Sequence, residues 1–333
     1  MKFSKTILIT GGAGFIGSHL VLHMVEHYPN YQIINLDTLT YASDISYLSK
    51  ISEESNYLFV KGDINDRVLL QELFQKHRIN NVIHLAAESH VDNSILYPSE
   101  FAKTNVMGTI QLLDIAHKAW QGSTTGFRFY HISTDEVFGS LPEKGMFSEN
   151  TPYYPRSPYS ASKASSDHFV RAYYHTYHLP ILISNCSNNF GPHQHSEKLI
   201  PLFIKNILAG KKLPIYGKGT NIRDWLFVID HIRAIDCIFH NGTPGESYAV
   251  GGNNEIRNID LVHKLIEQTD NLLGNPKGTS KKLISFVDDR KGHDYRYAID
   301  STKLNNELGW KPQRSFEDAL EETILWYINR YKS

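Results

Sequence analysis

Lys5-Thr6-Ile7-Leu8-Ile9-Thr10-Gly11-Gly12-Ala13-Gly14-Phe15-Ile16-Gly17 is the stretch on which the fold turns. Residues 5–10 read as a short strand and residues 15–27 as a helix, with three glycines at three-residue spacing between them. Gly11 permits a tight turn, Gly14 lets the backbone approach a pyrophosphate, and Gly17 lets the helix pack closely on the strand. The helix N-terminus then offers N–H donors and the positive end of its dipole to phosphate. The spacing differs by one residue at the front from the simplest dinucleotide fingerprint, but the physics is the same. Asp37, twenty residues beyond Gly17, closes the next apolar run. An acid there bonds the adenosine ribose hydroxyls and repels a 2′-phosphate, which favours NAD over NADP. Asp63, after the third strand, falls near the place of the adenine, where a turn would use the same residue.

The same rhythm continues outward. Residues 32–36, 57–61, 82–85, 128–133 and 181–184 read as strands, and residues 67–77, 105–119 and 159–177 as helices. Strands apolar nearly throughout belong to a parallel sheet covered on both faces. Alternation of strand and helix predicts right-handed crossovers and a Rossmann-type, doubly wound α/β fold. After residue 186 the alternation breaks, and Pro, Gly and Asn cluster at 188–192, 217–221 and 251–254. Helices are expected at 197–209, 231–239, 258–269 and 316–331. We expect a cofactor domain over residues 1–186 and a smaller mixed α/β substrate lobe over 187–333. The two interleave near 225–250, with residues 246–250 returning to the main sheet. Residues 271–282, rich in Asn, Gly and Lys, read as a longer loop than the fold needs.

The 333 residues carry 34 Lys and Arg against 35 Asp and Glu, a net charge of −1, which does not suit nucleic acid or an anionic membrane held by bulk charge. The apolar runs are too short to span a bilayer, and the N-terminus does not read as a secretory signal. Two cysteines, Cys186 and Cys237, do not make a disulfide scaffold or a Cys-rich zinc site. His193, Gln194, His195 and Glu197 lie in a Gly-Pro loop without a partner cluster, and no metal site is read there. A cytoplasmic location is expected.

Tyr159 and Lys163 stand four apart in Tyr-Ser-Ala-Ser-Lys, on one face of a helix. A tyrosine of pKa ~10 is a poor base at neutral pH. A nearby ammonium and a positive nicotinamide would favour the phenolate. The pair then suits removal of a hydroxyl proton while hydride leaves to the cofactor. Alone the pattern occurs by chance as a surface pair. Its weight comes from the glycine fingerprint and from Ser133 at the end of the fifth strand.

These residues resemble the extended short-chain dehydrogenase/reductase family, the group of nucleotide-sugar epimerases and dehydratases. Ser133-Thr134-Asp135-Glu136-Val137 narrows the resemblance to the 4,6-dehydratases, because epimerases of this group usually lack the two acids. Longer matches are HLAAESHVD at 84–92, SPYSASKASSDH at 157–168, NCSNN-x-GP at 185–192, EKLIP at 197–201, PIYGKG at 214–219 and RDW at 223–225. GHD at 292–294 and YAID at 297–300 complete the set, so the resemblance runs from the first strand to about residue 310.

The residue logic agrees. Elimination of water needs a base for a carbon-bound proton and an acid for the leaving hydroxyl, and two carboxyls in unlike surroundings can divide those roles. Glu136 would take the proton on sugar carbon 5, and Asp135, raised by burial, would protonate the hydroxyl on carbon 6. A loop or N-cap pair is the plainer reading of the two acids.

What the resemblance implies is wider. It implies NAD as cofactor and dTDP-glucose as substrate, with a UDP-sugar 4,6-dehydratase or a 4-epimerase as the alternative. By resemblance Thr134 bonds the sugar near the oxygen on carbon 4. Phe15, Ile16, Thr38, Leu39, Thr40, Ile64, Leu85, Ala86, Ala87, Thr104 and Asn189 match cofactor contacts, and Ser89 matches a contact shared with the sugar. Asn188, Lys198, Leu199, Pro214, Ile215, Tyr216, Arg223, Asn258, Arg290 and His293 match positions along the nucleotide. Arg223 suits the diphosphate because guanidinium grips phosphate through two donors. Its plainer reading is a structural pair with Asp224. The family also implies a homodimer through helices 105–119 and 159–177, and Tyr173, Tyr174 and Tyr177 would fill core or that interface. Asn93, Phe138, Lys291 and Tyr295 depart from the family pattern without touching the acid pair or the Tyr-Lys pair.

Overall fold

The computed structural model describes residues 3–121, 125–290 and 292–332; Lys291 lies outside them. The first units are β1 (Lys5–Thr10), α1 (Phe15–His27), β2 (Tyr31–Asp37), β3 (Tyr57–Lys61), α2 (Arg67–His77) and β4 (Asn81–His84). Short helices α3 (Val91–Leu96) and α4 (Pro98–Phe101) follow, then a π-helical segment, Ala102–Gly108, that runs into α5 (Thr109–Ala119). Next come β5 (Arg128–Thr134), α6 (Pro158–Tyr177), β6 (Ile181–Cys186), β7 (Asn188–Phe190) and α7 (Leu199–Leu208). The remainder is β8 (Leu213–Tyr216), β9 (Ile222–Phe227), α8 (Val228–Asn241), β10 (Ser247–Val250), β11 (Glu255–Arg257), α9 (Asn258–Leu272), β12 (Ile284–Val287), α10 (Thr302–Leu308) and α11 (Phe316–Lys332).

Among the described residues the main sheet has seven strands in the order β10-β6-β5-β4-β1-β2-β3. Every pairing in it is parallel. The order reverses between β1 and β4, which opens a crevice at the carboxyl ends of the strands, the usual place for a ligand in such sheets. Alternation along β1 divides the core. Ile7 and Ile9 pack with α1 and α8 on one face, and Leu8 packs with α2, α5 and α6 on the other. Residues 247–250 rejoin the sheet beside β6, as their apolar run predicts.

Smaller sheets, β11-β9-β7 and β12-β8, carry the second lobe around a separate core of α7, α9 and α11. Asp236 on α8 ties that helix to α1 on one face of the main sheet. It accepts hydrogen bonds from Tyr28 at 2.8 Å and faces His23 at 2.9 Å and His240 at 2.8 Å.

Two expectations need correction. The helix expected from residue 105 starts earlier, because α4 flows into the π-helical turn that turns Asn105 inward. Residues 271–282 are not simply loop: α9 runs to Leu272, and a 3-10 turn follows at Thr279–Leu283. Buried Asp270 organises that turn by accepting the Ser280 amide at 3.0 Å and its hydroxyl at 2.6 Å.

Candidate active site

A cleft of about 550 Å³ opens over the carboxyl ends of the central strands. The glycine turn forms its floor. Gly11 has φ of +73°, and a Cβ there would lie 2.7 Å from the Ala86 nitrogen. A Cβ on Gly17 would stand 2.0 Å from the carbonyl oxygen of Gly11. No larger residue fits either place, so the turn presents bare backbone to the cleft. Asp37 closes β2 and does more than the spacing suggests. Its carboxylate accepts the Ala13 amide at 2.9 Å, the Leu39 amide at 2.8 Å and the Ser43 hydroxyl at 3.0 Å. Of the residues expected on the cofactor side, all line the cleft except Leu39, whose φ of +56° turns its amide back to Asp37. The cradle of bare backbone and an acid at the second strand fits a dinucleotide.

At the other end β5 stops at Thr134 and a 3-10 turn begins at Asp135. The Thr134 hydroxyl accepts the Glu136 amide and donates to Asp135, both at 3.3 Å. Asp135 is 2 % exposed, and its Oδ2 has no hydrogen-bond partner. Burial, then the charges of Glu136 and Asp224, push its carboxyl well above the ordinary range. Burial raises Glu136 too, while the charges of Arg223 and Lys198 draw it back. The two acids therefore stand in the unlike surroundings that their roles require.

Helix α6 opens with a reciprocal cap between Ser157 and Ser160, which sets the angle of its first turn. Tyr159 sits against Phe101 with ring centroids 6.4 Å apart. Burial and the Glu136 charge hold its hydroxyl well above 10, and the neighbouring Thr134 side chain opposes them. The expected phenolate draws on a positive nicotinamide as well as on Lys163; the protein's own groups keep the hydroxyl protonated. The Lys163 ammonium donates to the Ile132 carbonyl at 2.9 Å, and burial lowers its pKa. Two residues that the sequence did not single out hold this turn. Asn105 accepts the Glu88 amide at 2.8 Å and donates to Ser162 at 2.8 Å, and Ser162 donates to the Tyr159 carbonyl at 2.7 Å. The signal available was a polar residue inside an otherwise apolar helical stripe.

The positions expected along the nucleotide fall into two groups. Ser89, Thr134, Asn188 and Lys198 line the cleft, with the Lys198 ammonium 3.3 Å from the Ser89 carbonyl. Tyr216, Arg290 and His293 gather beyond it. Arg290 pairs with Asp92 at 2.6 Å and lies 5.2 Å over the Tyr216 ring, whose centroid is 6.3 Å from that of His293. Leu199 opens α7, Pro214 and Ile215 lie on β8 with Ile215 in the core, and Asn258 opens α9. Arg223 is buried and does not pair with Asp224. It donates to the carbonyls of Ile222 at 2.8 Å and Asp294 at 3.0 Å and stacks 4.2 Å over Tyr297. Asp224 is occupied by the amides of Gly252 at 3.0 Å and Asn254 at 2.8 Å. Of the departures from the family pattern, Phe138 stacks on Phe147 at 5.2 Å, and Asn93 reaches the Tyr41 hydroxyl at 3.4 Å. The Tyr295 amide donates to Ser140 at 2.8 Å.

The fold and this site define a class. The sequence profile of GDP-mannose 4,6 dehydratase matches residues 8–323, and the chain belongs to that family. Within it, a probable dTDP-glucose 4,6-dehydratase of Sinorhizobium fredii is 52 % identical over 326 residues, 97 % of this chain and 92 % of that protein. The crystal structure of a dTDP-glucose 4,6-dehydratase from Bacillus anthracis in complex with NAD aligns with a TM-score of 0.87 at 45 % identity, over 99 % of this chain and 98 % of the other. The same enzyme from Streptomyces venezuelae, with NAD and TYD bound, aligns at 0.90 and 44 % identity, over 98 % of each chain.

Proposed function

We propose that this chain is an NAD-dependent dTDP-glucose 4,6-dehydratase, a hydro-lyase that converts dTDP-glucose to dTDP-4-keto-6-deoxyglucose and water. The observation that carries the reading is the Asp135–Glu136 pair, one carboxyl buried with an unpartnered oxygen and the other beside cationic groups, in the cleft that also holds Tyr159 and the glycine turn.

Gly11, Gly14 and Gly17 would hold the NAD pyrophosphate against the start of α1, and Asp37 the adenosine ribose. When bound, NAD accepts a hydride from sugar carbon 4 and returns it to carbon 6. Tyr159 takes the proton of the hydroxyl on carbon 4, and Thr134 bonds that oxygen. The ketone so formed acidifies the proton on carbon 5, which Glu136 removes. Asp135 gives its proton to the hydroxyl on carbon 6 as water leaves; as hydride arrives at carbon 6, protonated Glu136 returns a proton to carbon 5, and the proton held by Tyr159 makes good the one that Asp135 gave. The net loss is one water, with no net oxidation. Lys198 and Arg290 supply local positive charge for the diphosphate in a chain whose net charge is −1.

Residues 1–186 with 225–250 serve as the cofactor lobe, and the rest as the substrate lobe. The enzyme acts in the cytoplasm as a homodimer. In support, no helix among the described residues is long and apolar enough to cross a membrane, and Leu96, Met107, Phe169 and Tyr177 expose apolar surface near α5 and α6. The test is incubation with dTDP-glucose, UDP-glucose and GDP-mannose, without added NAD, followed by detection of a 4-keto product. Turnover of dTDP-glucose is expected; no turnover of any of the three would sink the reading.

A further inference from the structure

Lys163 is buried, and its ammonium has one close backbone acceptor, the Ile132 carbonyl. A lone acceptor does not offset the cost of burying a charge. One helical turn further along α6, on the same face, stands Asp167 with no exposed surface. Nothing in the chemistry above uses this acid, yet three elements are built around it. Its Oδ2 accepts the Ser133 hydroxyl of β5 at 2.8 Å, the Tyr153 hydroxyl at 2.7 Å and the Asn185 amide of β6 at 3.3 Å. The Nε2 of His131 lies 3.2 Å from Oδ1.

We propose that Asp167 is a positioning residue for Lys163: a carboxylate pinned between β5 and β6 that serves as counter-ion to the buried ammonium and so keeps it charged beside Tyr159. The inference rests on Tyr159 acting as base in the proposed reaction, with the Lys163 ammonium and the nicotinamide together favouring its phenolate.

The other groups around the ammonium do not supply a negative charge. His131 on β5 is pushed down to about 4 by burial and by Lys163, and buried His84 on β4 is lowered well below 6.5, so both are neutral. Burial raises the Cys186 thiol of β6 to about 12, so it keeps its proton. Tyr153 is a hydrogen-bond donor whose hydroxyl burial holds protonated. Arg171, on α6, donates to Tyr153 at 3.0 Å and adds positive charge. Asp167, despite burial, is held below the ordinary carboxylate range by His131, Lys163 and Tyr153. Burial lowers Lys163, and the Asp167 charge is the first influence opposing it. The carboxylate has a second effect. By tying Ser133 to Asn185 it fixes the end of β5, from which Thr134 and the acid pair project.

The test is Asp167→Asn in the holoenzyme. The amide retains an acceptor oxygen for Ser133 and Tyr153, and His131 can meet its NH2 group as the other tautomer. Without the counter-charge Lys163 loses its proton at lower pH, so the alkaline limb of the kcat profile should fall by about one pH unit or more. At pH 8 kcat should drop at least tenfold, with KM and NAD content little changed. Lys163→Arg in the Asp167→Asn background should return the limb toward that of Lys163→Arg alone, because guanidinium stays charged. An unmoved limb, or an equal loss of kcat at every pH, would overturn the proposal and leave Asp167 a packing residue. A neutron structure of the wild-type protein at pH 8 gives an answer without turnover and without a variant. Three deuterons on Lys163 and none on Asp167 are expected; a neutral lysine facing a protonated Asp167 would refute it. That measurement stands whether or not dTDP-glucose is the substrate.

Discussion

Asp135 and Glu136 are adjacent in the chain, yet the hydroxyl of Thr134 binds the carboxyl of the first and the backbone amide of the second. The β5 terminus thus splits two identical functional groups between a dry position and a cationic one.

Glu136→Gln should abolish water loss while NAD stays bound, since a positioned general base is worth about 10²–10⁴ in rate. Product formation by absorbance of the 4-keto sugar, with NAD content measured on the denatured protein, checks this. A variant releasing product at near-normal rate would show that another group takes the proton on carbon 5.

Asp135→Asn should separate the two halves of the elimination. Exchange of the carbon 5 proton with deuterated solvent should persist, because Glu136 is intact, while water loss falls about 100-fold or more. Mass spectrometry of recovered substrate and product distinguishes this from simple loss of binding. Equal loss of exchange and elimination would reject the division of roles.

The same variant has a stability signature. A carboxyl whose folded pKa is raised is easier to keep protonated when native, so ionising it costs stability as pH rises above the unfolded value of 3.8. Asp135→Asn should therefore melt higher than wild type at pH 8, with the difference shrinking toward pH 4. Differential scanning calorimetry at the two pH values decides it.

Asp236 should show the opposite sign. Against the cost of burial, hydrogen bonds from His23, His240 and Tyr28 hold its carboxyl well below 3.8. The stability it contributes is present above that value and is lost as pH falls through the folded pKa. Asp236→Asn should cost about 1–3 kcal/mol at pH 7, as expected for hydrogen bonds to a charged partner, with the gap closing in acid. Chemical denaturation at pH 7 and pH 3 measures it. An Asn variant as stable as wild type at pH 7 would mean that the contact between α1 and α8 does not depend on this acid.

Gly17→Ala should lower retained NAD at least tenfold, because its Cβ would need the space of the Gly11 carbonyl oxygen 2.0 Å away. NAD released on denaturation is the readout. Full retention would mean that the turn is not the pyrophosphate seat.

Much of this arrangement was legible in the sequence because it is local. A strand, three spaced glycines and a helix fixed the position of α1, and an acid at a set distance marked the end of β2. Tyr159 and Lys163 were legible for the same reason, being one helical turn apart. The strands of the substrate lobe were not. β7 and β11 are three residues each and mix Asn, Glu and Arg with apolar positions, so no period of two can be read. Asn105 and Asp167 were hidden differently. Each lies in a helix where a polar residue ordinarily faces water; Asn105 is enclosed by the segment at Glu88 and by Ser162 of α6, and Asp167 by β5 and β6. Arg223 shows the converse: a pairing with its neighbour Asp224 was the plainer reading, yet its guanidinium meets the carbonyls of Ile222 and Asp294, contacts that sequence neighbours do not display.

Strand β10 imposes an order of events on synthesis. A ribosome has delivered β1 to β6 by Cys186, but the neighbour of β6 is not complete until Val250. At about 5–20 residues per second the unfinished sheet exposes β6 as an open hydrogen-bonding edge for several seconds. The nascent chain is therefore most exposed to mispairing with a second nascent copy while the segment between these two strands is being made.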